Sequence, residues 1–408
     1  MSSRNLPVDP QRIAADLEAL ALLTEPDRPW TRRAFSPMFL KGRDWLTRRM
    51  HEAGLETRID AAGNLIGRRA GRRPGSGTLM IGSHSDTVPD GGRFDGVAGV
   101  VAGLEIARAL TDAGRELDHD LEIVDFLAEE VSIFGVSCIG SRAMTGQIPA
   151  DWLERTSAGR TLDAALREVG GDPDAFGQRD DIAGFLELHI EQGPILETSG
   201  DQVGIVTAIA GITRIAVSLA GRADHAGTTP MTLRDDALVS AAELVLAIRD
   251  KALELASGPG HFTATVGEFS IMPGAANVVP SSAGLLIDAR ASERADMQVF
   301  LGWLHDSVAA AGGSATVISD NPPCPCDPRL CDALDAAAER LGGRHRRMVS
   351  GAGHDTAWIS KVAPAAMIFV PCKDGRSHSA DEWAEADDIA LGTAVLLETL
   401  YDLDRPRG

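Results

Sequence analysis

Thr78-Leu-Met-Ile-Gly82, continued by Ser-His84-Ser-Asp86-Thr-Val-Pro-Asp-Gly-Gly-Arg-Phe-Asp95-Gly96, is the stretch that decides the fold class. Its first five residues form a strand-like apolar run. Polar and turn-forming residues follow at once, and helical periodicity then runs over 96–111 and stops at Gly114. Three further strand-like runs, Leu121–Leu127, Gly184–His189 and Ala365–Val370, likewise lead directly into side chains able to do chemistry. Strands alternating with helices, the others near 10–23 and 36–53, predict an α/β architecture. In open α/β sheets ligands bind outside the carboxyl ends of the strands, so four such ends predict one crevice.

The middle of the chain has another rhythm. From Gly211 it reads strand (212–219), helix (231–255), strand (262–271), strand (283–289), helix (295–311) and strand (315–319). That order, βαββαβ, is ferredoxin-like. Pro322, Pro323, Pro325 and Pro328 punctuate the return to α/β patterning. The expectation is an inserted domain, 211–324, between the two parts, 1–210 and 325–408, of one catalytic domain.

Composition narrows the function. The 408 residues carry 39 basic and 59 acidic side chains, a net charge of −20. Such a chain repels phosphate backbones and anionic lipid, which argues against nucleic-acid and membrane-surface partners. No apolar run approaches the roughly 20 residues of a membrane span, and MSSRNLPVDPQR has no apolar leader. Five cysteines without even spacing favour a reducing, cytoplasmic setting. Cys324, Cys326 and Cys331 are one ligand short of a structural zinc site and read as free thiols in a Pro-rich loop.

The chemistry gathers at the strand ends. His84 can offer an imidazole nitrogen and Asp95 a carboxylate that bridges two ions, with Asp86 fixing the ring tautomer of His84; alternatively this is a polar turn with Asp95 as a helix cap. In Asp125-Phe-Leu-Ala-Glu129-Glu130, one Glu can bind metal while the other serves as general base. His189, in Glu187-Leu-His189-Ile-Glu191-Gln192, and His378, in Ser377-His378-Ser379, complete the strand-end set. Three N/O ligands per ion with a shared carboxylate is the stoichiometry of a two-metal hydrolase, with the ions about 3.5–4 Å apart. Lacking a thiolate, the set suits Zn²⁺, Mn²⁺, Co²⁺ or Ni²⁺. Elsewhere, His225, Asn277 and Arg290 are polar positions beside apolar runs, either substrate contacts or surface turn residues. Gly353 and His354 lie in a Gly-rich turn able to approach a substrate or merely to connect elements.

In order along the chain, GSHSDTVPDGGRFDGVAGV, AEE followed by GSRAMTG, ELHIEQGPILE, DHAGTTPM, NVVP, SGAGHD and SHSADEW cover roughly residues 40 to 400. These strings resemble the amidase, hydantoinase/carbamoylase family of dinuclear metallo-amidohydrolases. The resemblance implies a mixed-sheet, zinc-exopeptidase-like catalytic domain carrying a ferredoxin-like lid and dimerisation domain. It implies that His84, Asp95 and His189 hold one ion, and that Asp95 bridges to a second held by Glu130 and His378. Glu129 would be the general base and Asp86 the partner of His84. Gln192, His225, Asn277, Arg290, Gly353 and His354 would meet substrate, His225 reaching in from the other subunit of a homodimer. The family pattern of three Glu followed by Gly-Ser-Arg-Phe is altered here to Ala128-Glu129-Glu130-Val131-Ser132-Ile133-Phe134, which touches loop shape and substrate choice.

The expected reaction is hydrolysis of an N-carbamoyl-L-amino acid to amino acid, carbon dioxide and ammonia. Arg290 suits a substrate carboxylate, and no additional polar pair suggests a holder for the second ureido arm of allantoate. Allantoate amidohydrolase, β-ureidopropionase, and an N-acyl or dipeptide hydrolase on the same scaffold are the alternatives. A non-enzymatic sensor would be expected to have lost a ligand or the base, and none is lost.

Overall fold

The computed structural model of the protein describes residues 6–405. The chain forms two compact units. One comprises the chain up to Thr207, Cys326–Met348 and the chain from His354 onward; the other comprises Ala208–Pro325 and Val349–Gly353. Met1–Asn5, part of the opening stretch read as lacking an apolar leader, lie outside the described residues. Among the described residues, no helix is long and apolar enough to cross a membrane.

The first unit is α/β, built on a mixed sheet. Its strands run in the order Glu56–Ile59, Leu65–Arg69, Asp120–Phe126, Thr78–His84, Ile182–Ile190, Ala365–Val370 and Val203–Ile209. The four from Asp120–Phe126 to Ala365–Val370 are mutually parallel, and their neighbours on either side pair antiparallel. These four are the strands marked by apolar runs, because both of their faces are covered. On one face Gly103 of helix Val97–Asp112 lies against Ile81 and Ile123, and Gly392 of helix Ala386–Leu403 against Leu188 and Ile368. On the other, Met80, Val124, Phe126 and Phe185 pack with Met144 and Ile359. Parallel neighbours end on the same edge, so His84, the Glu129–Glu130 loop, His189 and the His378 turn all leave the sheet from one side.

The second unit has a four-stranded antiparallel sheet in the order Phe262–Met272, Ser282–Ala291, Gly211–Ala220, Ser314–Asn321. Helices Ala237–Ala256 and Arg294–Ala310 cover one face, where Ile215, Val217, Leu219, Leu285 and Ile287 meet Leu244, Ile248, Phe300 and Leu304. The alternating burial of Gly211–Ala220 is the two-residue period of a sheet with one face in the core. One expected boundary moves. Met231–Leu233 is an isolated 3-10 turn rather than the start of the long helix. The helix begins at Ala237, because Asp236 accepts from the N–H groups of Leu238 and Val239, at 3.0 and 3.3 Å, and so acts as its N-cap.

Candidate active site

His84 is the last residue of its strand, and Asp95 sits just ahead of helix Val97–Asp112. The two meet because residue 96 is glycine. Its φ is +64°, and a Cβ there would lie 2.4 Å from the His84 ring. Asp95 Oδ1 is 3.5 Å from His84 Nε2 and 3.2 Å from His189 Nε2. Its other oxygen, Oδ2, is 3.2 Å from His378 Nε2, which is 2.9 Å from Glu130 Oε1. Two donor groups result, His84–Asp95–His189 and Asp95–Glu130–His378, and they share Asp95.

Backbone strain contributes to this arrangement. Ala128, Gln192 and His378 have φ near +55°, a region costly for residues with a side chain. At Ala128 the left-handed turn breaks the pleat just after strand Asp120–Phe126. Adjacent glutamates can then serve one site: Glu129 Oε2 lies 3.6 Å from His84 Nε2 while Glu130 reaches His378.

The donor chemistry fits a cation. His84 Nδ1 is 3.0 Å from the Asp86 carbonyl and His189 Nδ1 is 2.9 Å from the Ile190 carbonyl. A carbonyl can only accept, so each Nδ1 carries hydrogen, and the neutral ring turns a bare Nε2 toward Asp95. Burial opposes charge on His84, yet its hydrogen bond to Asp95 and the charges of Glu129 and Asp86 hold its pKa well above the ordinary value. Hydrogen bonds with Asp95 and Glu130 push His378 up to about 10. Burial pushes the Glu129 carboxyl well above its ordinary range.

The matching residues extend through most of the chain. Residues 80–402 match the model of peptidase family M20/M25/M40. The chain belongs to this family. It is 36% identical to the N-carbamoyl-L-amino-acid amidohydrolase of Paenarthrobacter aurescens over 97% of this chain and 98% of that protein. It is also 36% identical to the allantoate amidohydrolase of Bacillus subtilis, over 87% and 88% of the two chains. A solved structure of an amidase of the hydantoinase/carbamoylase family from Burkholderia multivorans superposes with a TM-score of 0.91 at 36% identity, covering 97% of this chain and 98% of that one. The resemblance read from the sequence strings is borne out.

Other residues of this M20/M25/M40 family member differ in detail from expectation. Asp86 meets His84 through its main-chain carbonyl; its carboxylate is 3.6 Å from Nδ1. That carboxylate instead accepts from the N–H groups of Glu129 and Glu130, at 3.2 and 3.3 Å, orienting both glutamates. Gln192 donates to Asp95 Oδ2 at 2.7 Å, so its amide holds the shared carboxylate. His354 is buried edge-on against the His189 ring, with centroids 4.6 Å apart, whereas Gly353 is exposed. Ile133 packs into a core cluster with Phe134 and Val136, while Val131 is exposed.

In the second unit, His225 is exposed, and its Nδ1 accepts from the Gly227 N–H at 3.0 Å, leaving the ring proton on Nε2. Ala226 N–H donates to the Asn277 carbonyl at 3.0 Å, which brings the His225 and Asn277 loops together. Arg290 donates to Asp288 Oδ1 at 2.8 Å and to the Gly351 carbonyl at 2.7 Å.

Two contacts escaped sequence reasoning. The Cys138 thiol donates to Glu129 Oε1 at 3.4 Å, and the Ser377 hydroxyl donates to Asp95 Oδ2 at 2.7 Å. Ser377 adjoins His378, a usable signal; nothing in the sequence pointed from Cys138 to Glu129.

Proposed function

We propose that this M20/M25/M40 family member is a metal-dependent amidohydrolase that removes the carbamoyl group from an N-carbamoyl-L-amino acid. The observation that carries the reading is the pair of donor groups sharing Asp95, with the Glu129 carboxylate 3.6 Å from His84. The relative named for that reaction, aligned over nearly the whole chain, supports it. His84, Asp95 and His189 would hold one divalent ion, and Asp95, Glu130 and His378 a second, with zinc favoured over manganese, cobalt or nickel. Bound there, such ions polarise the ureido carbonyl and lower the pKa of a water.

The chain's own residues do the rest. Glu129 takes a proton from the attacking water as the C–O bond forms, and returns it to the substrate nitrogen as the C–N bond breaks. The products are the amino acid and a carbamate, which decomposes to carbon dioxide and ammonia. The Nε2–H of His225 and the Asn277 amide would stabilise the oxyanion. Gln192 and Gly353 would line the substrate, with His354 buried behind against the ligand His189, and Arg290 would orient its carboxylate.

The second unit, read as an inserted ferredoxin-like domain spanning 211–324, would act as lid and dimerisation surface. Val239, Leu246 and Leu253 recur every seven residues on one helix and are 51%, 53% and 63% exposed. Phe269 and Met272 are exposed on the edge strand Phe262–Met272. Apolar surface of this kind suits a second copy of the chain, and His225 would then serve the partner's site. Five cysteines, none of them in a disulfide, would suit work in the cytoplasm.

The test is turnover of N-carbamoyl-L-methionine, N-carbamoyl-β-alanine, allantoate and an N-acetyl amino acid by the native, chelated and metal-reloaded protein. Ammonia release from the N-carbamoyl-L-amino acid should disappear on chelation and return on reloading. Full activity after exhaustive chelation refutes the metal reading. Preference for allantoate, whose hydrolase in Bacillus subtilis is equally identical, refutes the substrate class.

A further inference from the structure

We infer that Glu382 is the positioning residue for Asp95, tying the turn that carries His378 to the loop that carries Asp95. The inference rests on the reading of Asp95 as the shared metal ligand. Glu382 is 1% exposed, so it is not available to substrate. Its Oε1 accepts from the N–H of Phe94 at 2.7 Å and of Asp95 itself at 3.1 Å. Its Oε2 lies 2.9 Å from the oxygen of Ser377, whose one hydrogen is directed to Asp95 Oδ2 at 2.7 Å. One carboxylate thus holds the main chain of the ligand and abuts the hydroxyl that meets its side chain.

The loop is shaped to receive it. A Cβ on Gly92 would lie 1.9 Å from the Glu382 carboxyl carbon, so the two segments can close up only because residue 92 has no side chain. Beside it, Trp383 packs edge-on against Phe94 at 5.5 Å, and the Arg93 guanidinium lies over Trp383 at 4.6 Å. A buried carboxylate this close to Asp95 is electrostatically unfavourable and persists because two main-chain N–H groups satisfy it. Residues that orient a ligand from behind typically contribute about 10–100-fold in metal affinity.

The experiment measures Zn²⁺ affinity by chelator competition on the full-length protein, with thermal melts recorded alongside. Glu382→Ala and Gly92→Ala should each weaken zinc binding by about tenfold or more, and excess zinc should restore their turnover. Glu382→Gln keeps an acceptor facing the two N–H groups and should stay within about threefold of the parent. If Glu382→Ala does not fold, the near-isosteric Glu382→Met, which fills the space without an acceptor, carries the test. Parent-like zinc affinity in the acceptor-less variant, or a Gln variant as weak as it, overturns the inference. Asp95→Ala separates the two levels. If it keeps both ions, the metal reading itself fails; if it loses them while the acceptor-less variant does not, only the role of Glu382 falls.

Discussion

At the scale of single residues, two adjacent glutamates in the same turn are proposed to do different work. Ala128, in a left-handed conformation, lets the chain present both, and the Asp86 carboxylate holds both amides. Their partners then separate them. Glu130 lies 2.9 Å from His378, whereas Glu129 is buried and faces His84 and the Cys138 thiol. Burial and neighbouring carboxylates hold the Glu129 carboxyl well above its usual range in the metal-free protein. Glu129→Gln should retain its ions and lose on the order of 10²–10⁴-fold in turnover; Glu130→Gln should lose metal first. Elemental analysis beside turnover distinguishes them, and equal metal loss in both variants would mean the roles are misassigned.

At the scale of elements, the site depends on parallel strands starting and ending in register. Asp181, just before strand Ile182–Ile190, pins the beginning of strand Thr78–His84. Its carbonyl accepts from the Thr78 N–H at 2.8 Å and its carboxylate from the Thr78 hydroxyl at 2.7 Å. The Arg179 guanidinium, hydrogen-bonded to the same carboxylate, holds its pKa down to about 2 from 3.8. A depressed carboxyl stabilises the fold fully above 3.8, and that contribution is lost as the pH falls through about 2. Because the pair is partly solvated, Asp181→Asn should cost under about 1 kcal/mol at pH 6, and the gap from the parent should narrow at pH 3. Urea unfolding at both pH values reads this; a gap that widens in acid would contradict it.

At the scale of the whole molecule, the proposed chemistry is divided between two units of the same chain, which is why the oligomeric state matters. Under the proposal that His225 serves the partner's site, a protein lacking His225 and one lacking Glu129 are each inactive alone. Mixed and allowed to exchange subunits, they should regain part of the activity, because some hybrid sites draw both residues from intact copies. A monomer by sedimentation that is fully active at nanomolar concentration would exclude the shared site. The charge of −20 also matters at this scale, since it keeps copies apart except where apolar surface on the second unit can outweigh it.

Sequence alone determined what depends on near neighbours in the chain. The four central strands were legible because strands covered on both faces must be apolar throughout, and the Gly211–Ala220 strand because one-sided burial leaves a two-residue period. His84, Asp95, His189 and His378 were legible because they stand at the ends of those runs or in the Gly-rich turns that follow them. The polar hairpin Glu56–Ile59 with Leu65–Arg69 escaped notice, since its first strand is mostly exposed and carries no apolar signal. The start of helix Ala237–Ala256 was misplaced because the capping side chain of Asp236 outweighed the apolar pattern beginning at Met231. Only the tertiary structure decided that Asp86 serves the glutamates through its carboxylate and that Glu382 fills the space left by Gly92. Phe94 and Glu382 are separated by 288 positions. A hydrogen bond across such a separation leaves no periodicity or spacing to read, because its geometry exists only once the sheet has brought the strand ends together.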